Sequence, residues 1–282
     1  MIVRDWIIDA DGVCEWDERY YFADKTKVSR SMLEDFRLGK DAHPLRYKGL
    51  HIDRTIDPSP PTAAMKLGTL IHAMVLEDTS GFVREPVFDK KKAAGKRAYA
   101  EFVVQSAGKR IVSDWDWEIA EACRESLMAN PVTRLALTRA GENERVITWV
   151  DPETGLEHKA RLDRFTPGMV VDLKSTQDPN EDAFMWHCIR MGYHRQGAFY
   201  LEGSRNLGND AKFILPVVRT SFPYETACYE MSADALELGV KQNRVTREKL
   251  LCAMTNDDWR ADHEIGLREI HYPPHQLMHI GD

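Results

Sequence analysis

The stretch RLDRFTPGMVVDLKST, residues 161–176, predicts a β-hairpin with its turn at 166–168. Side chains alternate between the two faces of a strand, so Asp172 and Lys174 should point to one side while their neighbours enter the core. The hairpin brings Asp163, on the preceding strand, close to Asp172. We therefore expect two carboxylates and one lysine to converge at the surface of a sheet.

This carboxylate–lysine group has a composition that suits metal-assisted hydrolysis. Two carboxylates can hold one or two Mg ions that keep some of their water ligands. The metal lowers the pKa of a bound water and stabilises charge on a phosphoryl oxygen, while a nearby lysine can orient or deprotonate the attacking water. A solvated strand face with a salt bridge would use the same residue types, so the pattern alone leaves both interpretations open.

Two helical patterns elsewhere supply further candidates for this site. In the predicted helix Met65–Glu77, Gly68 precedes His72 by about one turn, so a close backbone approach at the glycine would let the histidine reach a metal. Gln196 and Tyr200 also share a helix face and could touch DNA or the lysine. A structural histidine and an ordinary helix face are the alternatives for patterns of this kind.

The order of predicted elements indicates an α/β fold, with a central mixed β-sheet flanked by helices and no linker dividing the chain. We expect a single domain with an N-terminal helical and loop region (1–64), a core (65–231), and a closing helix and tail (232–282). The Pro-rich stretch 57–61 predicts a loop. Helices are predicted over about 65–77, 95–107, 115–130, 180–204 and 233–254, and strands over about 145–150, 156–165, 169–174, 211–218 and 227–231.

The 282 residues carry 38 Lys and Arg against 45 Asp and Glu, a formal net charge of −7. Seven Trp, ten Phe and nine Tyr can build a core, which excludes disorder as the main state. The acidic balance argues against a wholly basic nucleic-acid coat protein. No apolar run approaches the ~20 residues of a membrane span, and the start does not resemble a signal peptide, so we expect a soluble, cytoplasmic protein.

Five cysteines are scattered along the chain and form no CxxC pair. Neither a zinc ribbon nor an iron–sulfur cluster is indicated by this spacing. Small buried side chains in a reduced compartment are the expectation. The five are Cys14, Cys123, Cys188, Cys228 and Cys252.

The motif order GxxxH, D, DxK and QxxxY resembles the PD-(D/E)xK nuclease superfamily and its RecB-like exonucleases. The chain is most similar to the RecE family, the nuclease part of exodeoxyribonuclease VIII, over roughly residues 25–275. The positions that carry the resemblance are Ser29-Arg30-Ser31, Leu33 and Pro44; Leu67-Gly68-Thr69, His72, Leu76 and Glu77; Glu144, Trp149, Asp151, Thr154 and Gly155; Arg161 and Asp163; Asp172 and Lys174-Ser175-Thr176; Gly192-Tyr193-His194, Gln196 and Tyr200; and Trp259 and Pro273.

This resemblance implies a PD-(D/E)xK nuclease-like fold and a Mg-dependent exonuclease, for which Mn could substitute. It implies degradation of double-stranded DNA from 5′ to 3′ with release of mononucleotides. The remaining 3′ single strand would pass to a RecT-like annealing protein in recombination or repair, as in phage systems. A homo-oligomeric ring around DNA is a further expectation from the relatives.

The resemblance also implies roles for individual residues. Glu144 could serve a second metal or support the site, or it could be a surface carboxylate. Glu77 lies five residues from His72, about 140° round a helix, so we expect it to support the helix end and not to bind the metal. Metal ligands would be Asp163, Asp172, the Leu173 carbonyl and His72, and the catalytic or supporting residues would be Asp163, Asp172, Lys174, Gln196 and Tyr200.

Candidate DNA contacts lie near the same motifs. Arg161, beside Asp163, could hold the scissile or terminal 5′ phosphate through two parallel hydrogen bonds. The basic stretch 90–97 could bind the DNA backbone, but a solvated loop would look the same. The other candidates for phosphate contacts are Ser175, Thr176, Arg30 and Arg195, and those of the basic stretch are Lys90, Lys91, Lys92, Lys96 and Arg97.

Two alternative functions remain open at this point. A RecB-like nuclease could act on single strands or with the opposite polarity, since polarity depends on how a protein holds each strand. A nuclease-like scaffold could bind DNA ends without turnover. The chain lacks the cysteine cluster of several RecB-like relatives, and it contains no GxxxxGK[ST] motif of a helicase.

Overall fold

The computed structural model describes Tyr21 and residues 23–37 and 42–270. Its centre is a mixed β-sheet with helices on both faces. The strands are β1 (Phe82–Arg84), β2 (Arg110–Val112), β3 (Glu142–Val150), β4 (Glu157–Thr166), β5 (Met169–Val171), β6 (Lys174–Thr176), β7 (Lys212–Arg219) and β8 (Thr226–Glu230). The helices are α1 (Arg30–Phe36), α2 (Pro44–Tyr47), α3 (Ala63–Leu76), α4 (Ala93–Gln105), α5 (Asp114–Ala129), α6 (Pro131–Thr138), α7 (Glu181–Met191), α8 (Tyr193–Asn206) and α9 (Ala233–Asn256), with a π-helical turn at Lys48–Ile52 and a 3₁₀ turn at Asp262–Glu264.

The main sheet confirms the predicted mixed α/β architecture. Strands β3, β4 and β5 form the expected antiparallel meander, whereas β7 runs parallel to β5 and β6. Strand β8 pairs with β7 in the antiparallel sense. Arg164 pairs with Val171 where β4 meets β5, so the next residues along, Asp163 and Asp172, are brought close together as the hairpin predicts.

The single strand predicted over 169–174 is divided into β5 and β6. Both segments follow the same edge of β7 in one continuous register. The Asp172 amide still donates to Ile214 O of β7, but regular pairing is interrupted at Leu173, whose amide donates to Asp163 Oδ2 at 2.9 Å instead of to a neighbouring strand. At this interruption the Leu173 amide faces the Asp163 carboxylate and not a backbone carbonyl.

The single helix predicted over 180–204 is also divided. Helix α7 ends and α8 begins at Gly192, whose φ of +66° lies in the left-handed region that glycine adopts readily. The apolar pattern continues across this glycine, so the sequence periodicity does not reveal the break. The turn sets the direction of α8 and thereby the position of Gln196 and Tyr200.

Two apolar cores lie on opposite faces of the sheet. Val170 and Val217 face the first core, and the adjacent Val171 and Val218 face the second, as strand alternation requires. Helices α1, α8 and α9 pack on the first core, and α3, α5 and α6 on the second. The predicted inward direction of Val171 and Leu173 is therefore confirmed.

Helices α1 and α2 lie in the N-terminal region that was predicted only as helical and loop, whereas α6 and the parallel pair β1–β2 were not predicted from the sequence. The helix predicted over about 115–130 is α5, which ends at Ala129, just before Pro131. The proline also begins α6, because its fixed φ suits the first helical position. Asn130 caps this helix by accepting a hydrogen bond from Val132 N at 2.9 Å.

Four cysteines are described and all are free, whereas Cys14 lies outside the described residues. Cys123 is buried, and Cys188 and Cys228 are half-buried, in agreement with the expectation. Cys252 is exposed, contrary to it. The exposed position follows from the outer face of α9, because the buried positions of that helix lie elsewhere on its circumference.

Two motif positions near the end of the chain have different outcomes. Trp259 is buried, and its ring stacks on that of Tyr47 with centroids 6.0 Å apart. Pro273 lies outside the residues that the structure describes. Within the described ranges, no helix is both long enough and apolar enough to cross a membrane.

We expect Gly192→Ala to destabilise the protein by more than the roughly 1–2 kcal/mol that a left-handed Cβ costs. An added Cβ would lie 2.1 Å from Arg195 Nη2, so Arg195 would have to leave its ion pair with Glu34. Gly155→Ala is the matched control, since Gly155 has a φ of +71° and no heavy atom within 4 Å of the added Cβ. Urea unfolding measures both, and equal losses would contradict a contribution from Arg195.

Candidate active site

Helix α3 brings His72 to the strands that carry the carboxylates. Thr62 caps its first turn, with Oγ1 accepting a hydrogen bond from Met65 N at 3.3 Å. At Gly68 the helix approaches β6 so closely that a Cβ would lie 3.3 Å from Ser175 Oγ. His72 follows one turn later and reaches the strand carboxylates, as the spacing of these two residues predicts.

The His72 imidazole lies among three carboxylates. Its Nε2 is 3.1 Å from Asp163 Oδ2 and 3.3 Å from Glu144 Oε1. Its Nδ1 is 3.0 Å from Glu77 Oε1. Burial alone would lower the pKa of His72, but the charges and hydrogen bonds of these neighbours raise it to about 11. The imidazolium is therefore the cation that the three carboxylates share.

Glu77 does not lie where its angle of about 140° from His72 round a continuous helix would place it. Helix α3 ends at Leu76, and Glu77 leaves it with φ −121° and ψ −147°, so the angle around a continuous helix does not apply. Its carboxylate folds back onto His72 Nδ1. Metal-binding histidines usually donate their other ring N–H to a carboxylate. Glu77 would thus fix the ring so that Nε2 is directed to a metal shared with Asp163.

Glu144 is part of the site and not a surface carboxylate. Its neighbours Asn143 and Arg145 pair with Arg164 and Leu162, the residues on either side of Asp163, and its own φ of +54° is a strained value for a residue with a side chain. Its Oε2 is 2.9 Å from Arg161 Nε, while its buried Oε1 accepts no hydrogen bond from any residue that the structure describes. Burial raises the pKa of Glu144 to about 7, although His72 and Arg161 act to lower it.

Asp172 and Lys174 form a buried ion pair between Asp172 Oδ2 and Lys174 Nζ. Asp172 is 1% exposed, and this burial raises its pKa to about 6 despite the nearby ammonium, with Asp163 adding to the rise. Burial disfavours the charged form of Lys174 too, but the negative charge of Asp172 outweighs it and the pKa of Lys174 is raised. Lys174 is therefore a fixed cation in this arrangement.

Helix α8 holds the ion pair in place through Gln196. The Gln196 Oε1 accepts from Lys174 Nζ at 3.2 Å, and its Nε2 donates to Asp172 Oδ1 at 2.8 Å and to Tyr200 OH at 3.1 Å. Lys174 Nζ also lies 4.4 Å from the centroid of the Tyr193 ring, a cation–π distance. The predicted grouping of Gln196 and Tyr200 with the lysine is confirmed as geometry.

The donor set fits a hard divalent cation. His72, Glu77 and Glu144 offer ligand atoms within 4.8 Å of one another, and Asp163 and Asp172 line the same open cavity of about 670 Å³. Carboxylate oxygens with a single imidazole suit Mg or Mn. A bound cation would also satisfy the buried Oε1 of Glu144, which would otherwise be costly to keep.

The predicted DNA contacts fall into two groups. Arg161 and Ser175 line the cavity, as does Leu173, whose carbonyl stays a predicted ligand. The Thr176 hydroxyl is turned away into a hydrogen bond with Asp178 O at 3.2 Å. Because the cavity is the site of the expected chemistry, the first group is the one that a substrate there would meet.

Arg30 and Arg195 are not brought into the cavity. Arg30 Nη2 donates to Met191 O at 2.6 Å, and Arg195 forms two 2.8 Å hydrogen bonds with the Glu34 carboxylate. These contacts join α1 to the turn between α7 and α8. A role of either arginine in binding DNA stays a prediction.

The cavity lining also includes residues that the sequence did not place there, among them Glu77, Tyr193 and Arg110. Tyr193 lies in a quoted motif, and its aromatic ring beside the helix break is the available signal. Arg110 lies outside every motif and reaches the cavity only because β2 pairs with β1. That parallel pairing of three-residue strands has no sequence signal of its own.

A second cluster of similar residues has a structural role. Asp151, His158 and Glu202 lie within ligand distance of one another in the first core. Arg247 pairs with Asp151 and, at 2.7 Å, with Glu202 Oε2. Burial, reinforced by Arg247, lowers the pKa of His158 to about 4. The arginine already neutralises the carboxylates, so this cluster is a buried ion-pair network.

We expect the stabilising effect of His72 in the metal-free protein to decrease with rising pH. Its pKa in the folded state, about 11, exceeds the ordinary 6.5, so the contribution is complete below pH 6.5 and is lost as the pH rises toward 11. The loss of unfolding free energy in His72→Gln, measured with EDTA, should be larger at about pH 6 than at about pH 9. His263→Gln, at an exposed histidine, is the control. A loss independent of pH would contradict the shared-cation geometry.

The sequence profile of a PDDEXK-like domain of unknown function (DUF3799) matches residues 31–264. Among solved structures, a candidate exonuclease from Eubacterium rectale is similar at 16% identity and a TM-score of 0.62, over 95% of this chain and 99% of that one. An alkaline exonuclease from Laribacter hongkongensis, LHK-Exo, shares 12% identity over 86% of this chain and 97% of that one, with a TM-score of 0.36. A search of curated protein sequences gave no significant match. The chain belongs to the PDDEXK-like family DUF3799, and its fold is that of the PD-(D/E)xK nucleases.

Proposed function

We propose that this protein is a Mg-dependent exonuclease that hydrolyses DNA from its ends. The observation that carries the proposal is the convergence of His72, Asp163, Asp172 and Lys174 in one open cavity. A binding module would need neither a buried lysine–aspartate pair nor a histidine set among carboxylates. The nuclease fold supports the same conclusion.

The carboxylates and the imidazole would hold the metal. His72 Nε2 already lies 3.1 Å from Asp163 Oδ2 and 3.3 Å from Glu144 Oε1, and Asp172 lines the same cavity as His72 and Asp163. When bound there, Mg lowers the pKa of a water ligand and offsets charge on the scissile phosphate. Arg161, beside Glu144, would hold a phosphate group in place through its planar guanidinium.

Lys174 would act on the attacking water as a fixed charge. Asp172 and Gln196 hold its ammonium group at the cavity wall, so it need not reorganise when the reaction begins. A cation there orients the water and offsets the negative charge that develops on the phosphoryl oxygens. Because the pKa of Lys174 is raised, it would orient the water rather than take its proton.

The finer features of the proposal rest on the resemblance to the RecE family. These are action on double strands from 5′ to 3′, release of mononucleotides, and transfer of the 3′ strand to a RecT-like annealing protein. A homo-oligomeric ring around the DNA belongs to the same set. Light scattering in solution would measure the oligomeric state.

We expect linear duplex DNA with 5′ phosphates to be degraded to mononucleotides in Mg, because the cavity fits a metal and a phosphate together. EDTA should abolish the reaction, and covalently closed circular duplex, the control, should stay intact. A label at the 5′ end should be released before one at the 3′ end. The reverse order, or a preference for single strands, would favour a RecB-like nuclease of another type. DNA binding without hydrolysis in Mg or Mn would contradict the enzyme and favour a DNA-end scaffold.

We expect Lys174→Met to lower kcat by about 100- to 1,000-fold, since it removes a preorganised cation from the reacting phosphate. Binding of Mn, measured by calorimetry, should persist, because Lys174 is not a ligand. Lys212→Met is the matched control, as that lysine is 65% exposed and pairs only with Glu230 among the described residues. An unchanged kcat in the Lys174 variant, with thermal stability preserved, would rule out the proposed role.

A further inference from the structure

Residues 82–112 form an excursion from the fold, which we call the basic arm. The chain leaves along β1, turns through residues 85–92, forms α4 and returns along β2. β1 and β2 pair in parallel from Phe82 opposite Arg110 to Arg84 opposite Val112, in a two-stranded sheet separate from the main sheet. The arm is therefore anchored at one end by a short strand pair.

The charge of the basic arm is opposite to that of the rest of the chain. Its 31 residues contain eight Lys and Arg against three Asp and Glu, a net of +5. Since the whole chain carries −7, the other residues together carry −12. A polyanion approaching this protein would therefore be repelled by most of it and attracted by the arm.

The cations at the start of α4 do not stabilise that helix through its dipole. No side chain of α4, a helix described in full, is buried. Lys92 stands at its N-cap without a capping hydrogen bond, and Lys96 and Arg97 follow in or beside the first turn. Positive charge at a helix N-terminus opposes the helix dipole, whereas an anion placed there is stabilised.

Part of this charge has no partner within the protein. Arg84 pairs with three acids of α5, Lys90 pairs with Glu85, and Lys92 pairs with Asp89 at 3.1 Å. Four further cations are exposed and form no ion pair with any described residue. These are Lys91, Lys96, Arg97 and Lys109.

The base of the arm, where β1 and β2 pair, borders the candidate active site. Phe82, Gly108 and Arg110 line the same cavity as His72 and the catalytic carboxylates. Lys174 there is paired with Asp172. Arg110 is exposed, lies 5.5 Å from the centroid of the Phe82 ring, and has no carboxylate partner in the described part of the chain.

We propose that the basic arm binds the phosphate backbone of duplex DNA beside the end that enters the cavity, with Arg110 contacting a phosphate at the cavity mouth. The proposal rests on the proposed function, because phosphodiester chemistry in the cavity selects DNA among polyanions. Duplex DNA presents one negative charge per about 1.7 Å of its axis, which suits a row of unpaired cations. The acidic remainder of the protein would keep the duplex on this one side.

The test measures DNA binding without hydrolysis. A variant with Lys91→Gln, Lys96→Gln, Arg97→Gln and Lys109→Gln should bind a fluorescent blunt duplex in EDTA at least about tenfold more weakly near 100 mM salt. The slope of log K against log salt, between about 50 and 200 mM, should fall in magnitude by about 2 to 4, since each lost phosphate contact removes about 0.9. The single variant Arg110→Gln should lower the magnitude of the same slope by about 1.

The matched control removes four exposed cations elsewhere: Arg124→Gln, Arg134→Gln, Lys212→Gln and Lys241→Gln, on α5, α6, β7 and α9. The control variant loses the same net charge as the arm variant, but at positions outside the proposed contact surface. Its affinity for DNA and its salt slope should therefore stay near those of the wild type. Equal weakening by both variants, or no change in the arm variant, would overturn the proposal. Loss of binding to anionic phosphatidylserine vesicles but not to DNA would overturn it as well. Hydrolysis by the wild type is scored separately, so an inactive wild type with an arm-dependent slope would refute the enzyme and not the arm.

Discussion

The Asp172–Lys174 ion pair takes two charges almost completely out of water, and the rest of the site is arranged around that constraint. Each buried ion costs several kcal/mol, which is recovered only where geometry and hydrogen bonding are good. Gln196 supplies the remaining bonds by giving its carbonyl to the ammonium and its amide to the carboxylate. The backbone amide of Asp172 is satisfied by Ile214 O on β7. The pair therefore depends on a strand and a helix at once.

Regular strand pairing is interrupted at the part of the sheet that carries the site residues. Leu173 donates its amide to Asp163, and Glu144 adopts a left-handed backbone on the next strand but one. Both departures lie at the same level of the sheet, so the carboxylates of Asp163 and Glu144 meet at His72. The Arg247 network in the first core uses similar acids but contains a permanent cation, and beside it β3 and β4 pair without a gap from Arg145 opposite Leu162 to Val150 opposite Glu157. In the candidate site the arginine Arg161 pairs with Glu144, whereas Asp163 lies beside the imidazole of His72.

Local patterns predicted much of the fold and of the site, because strand alternation and helical spacing act over a few residues. They correctly grouped Asp163 with Asp172 and Lys174, and Gln196 with Tyr200. They failed where geometry depends on contacts distant in sequence. Glu77 meets His72 because the helix stops one residue earlier, and Arg110 reaches the cavity through a parallel strand pair. The break at Gly192 was hidden because apolar periodicity does not register a change of direction.

The cation shared around His72 would make the loading of a metal an exchange reaction. A divalent ion bound to Nε2 would have to expel the imidazolium proton, since a ligating nitrogen cannot keep it. The cavity would thus exchange one positive charge for two and release a proton to the solvent. In the metal-free protein the proton neutralises part of the repulsion between Glu77, Glu144 and Asp163. Folding alone therefore brings these side chains together, and a metal would meet groups that are already in place.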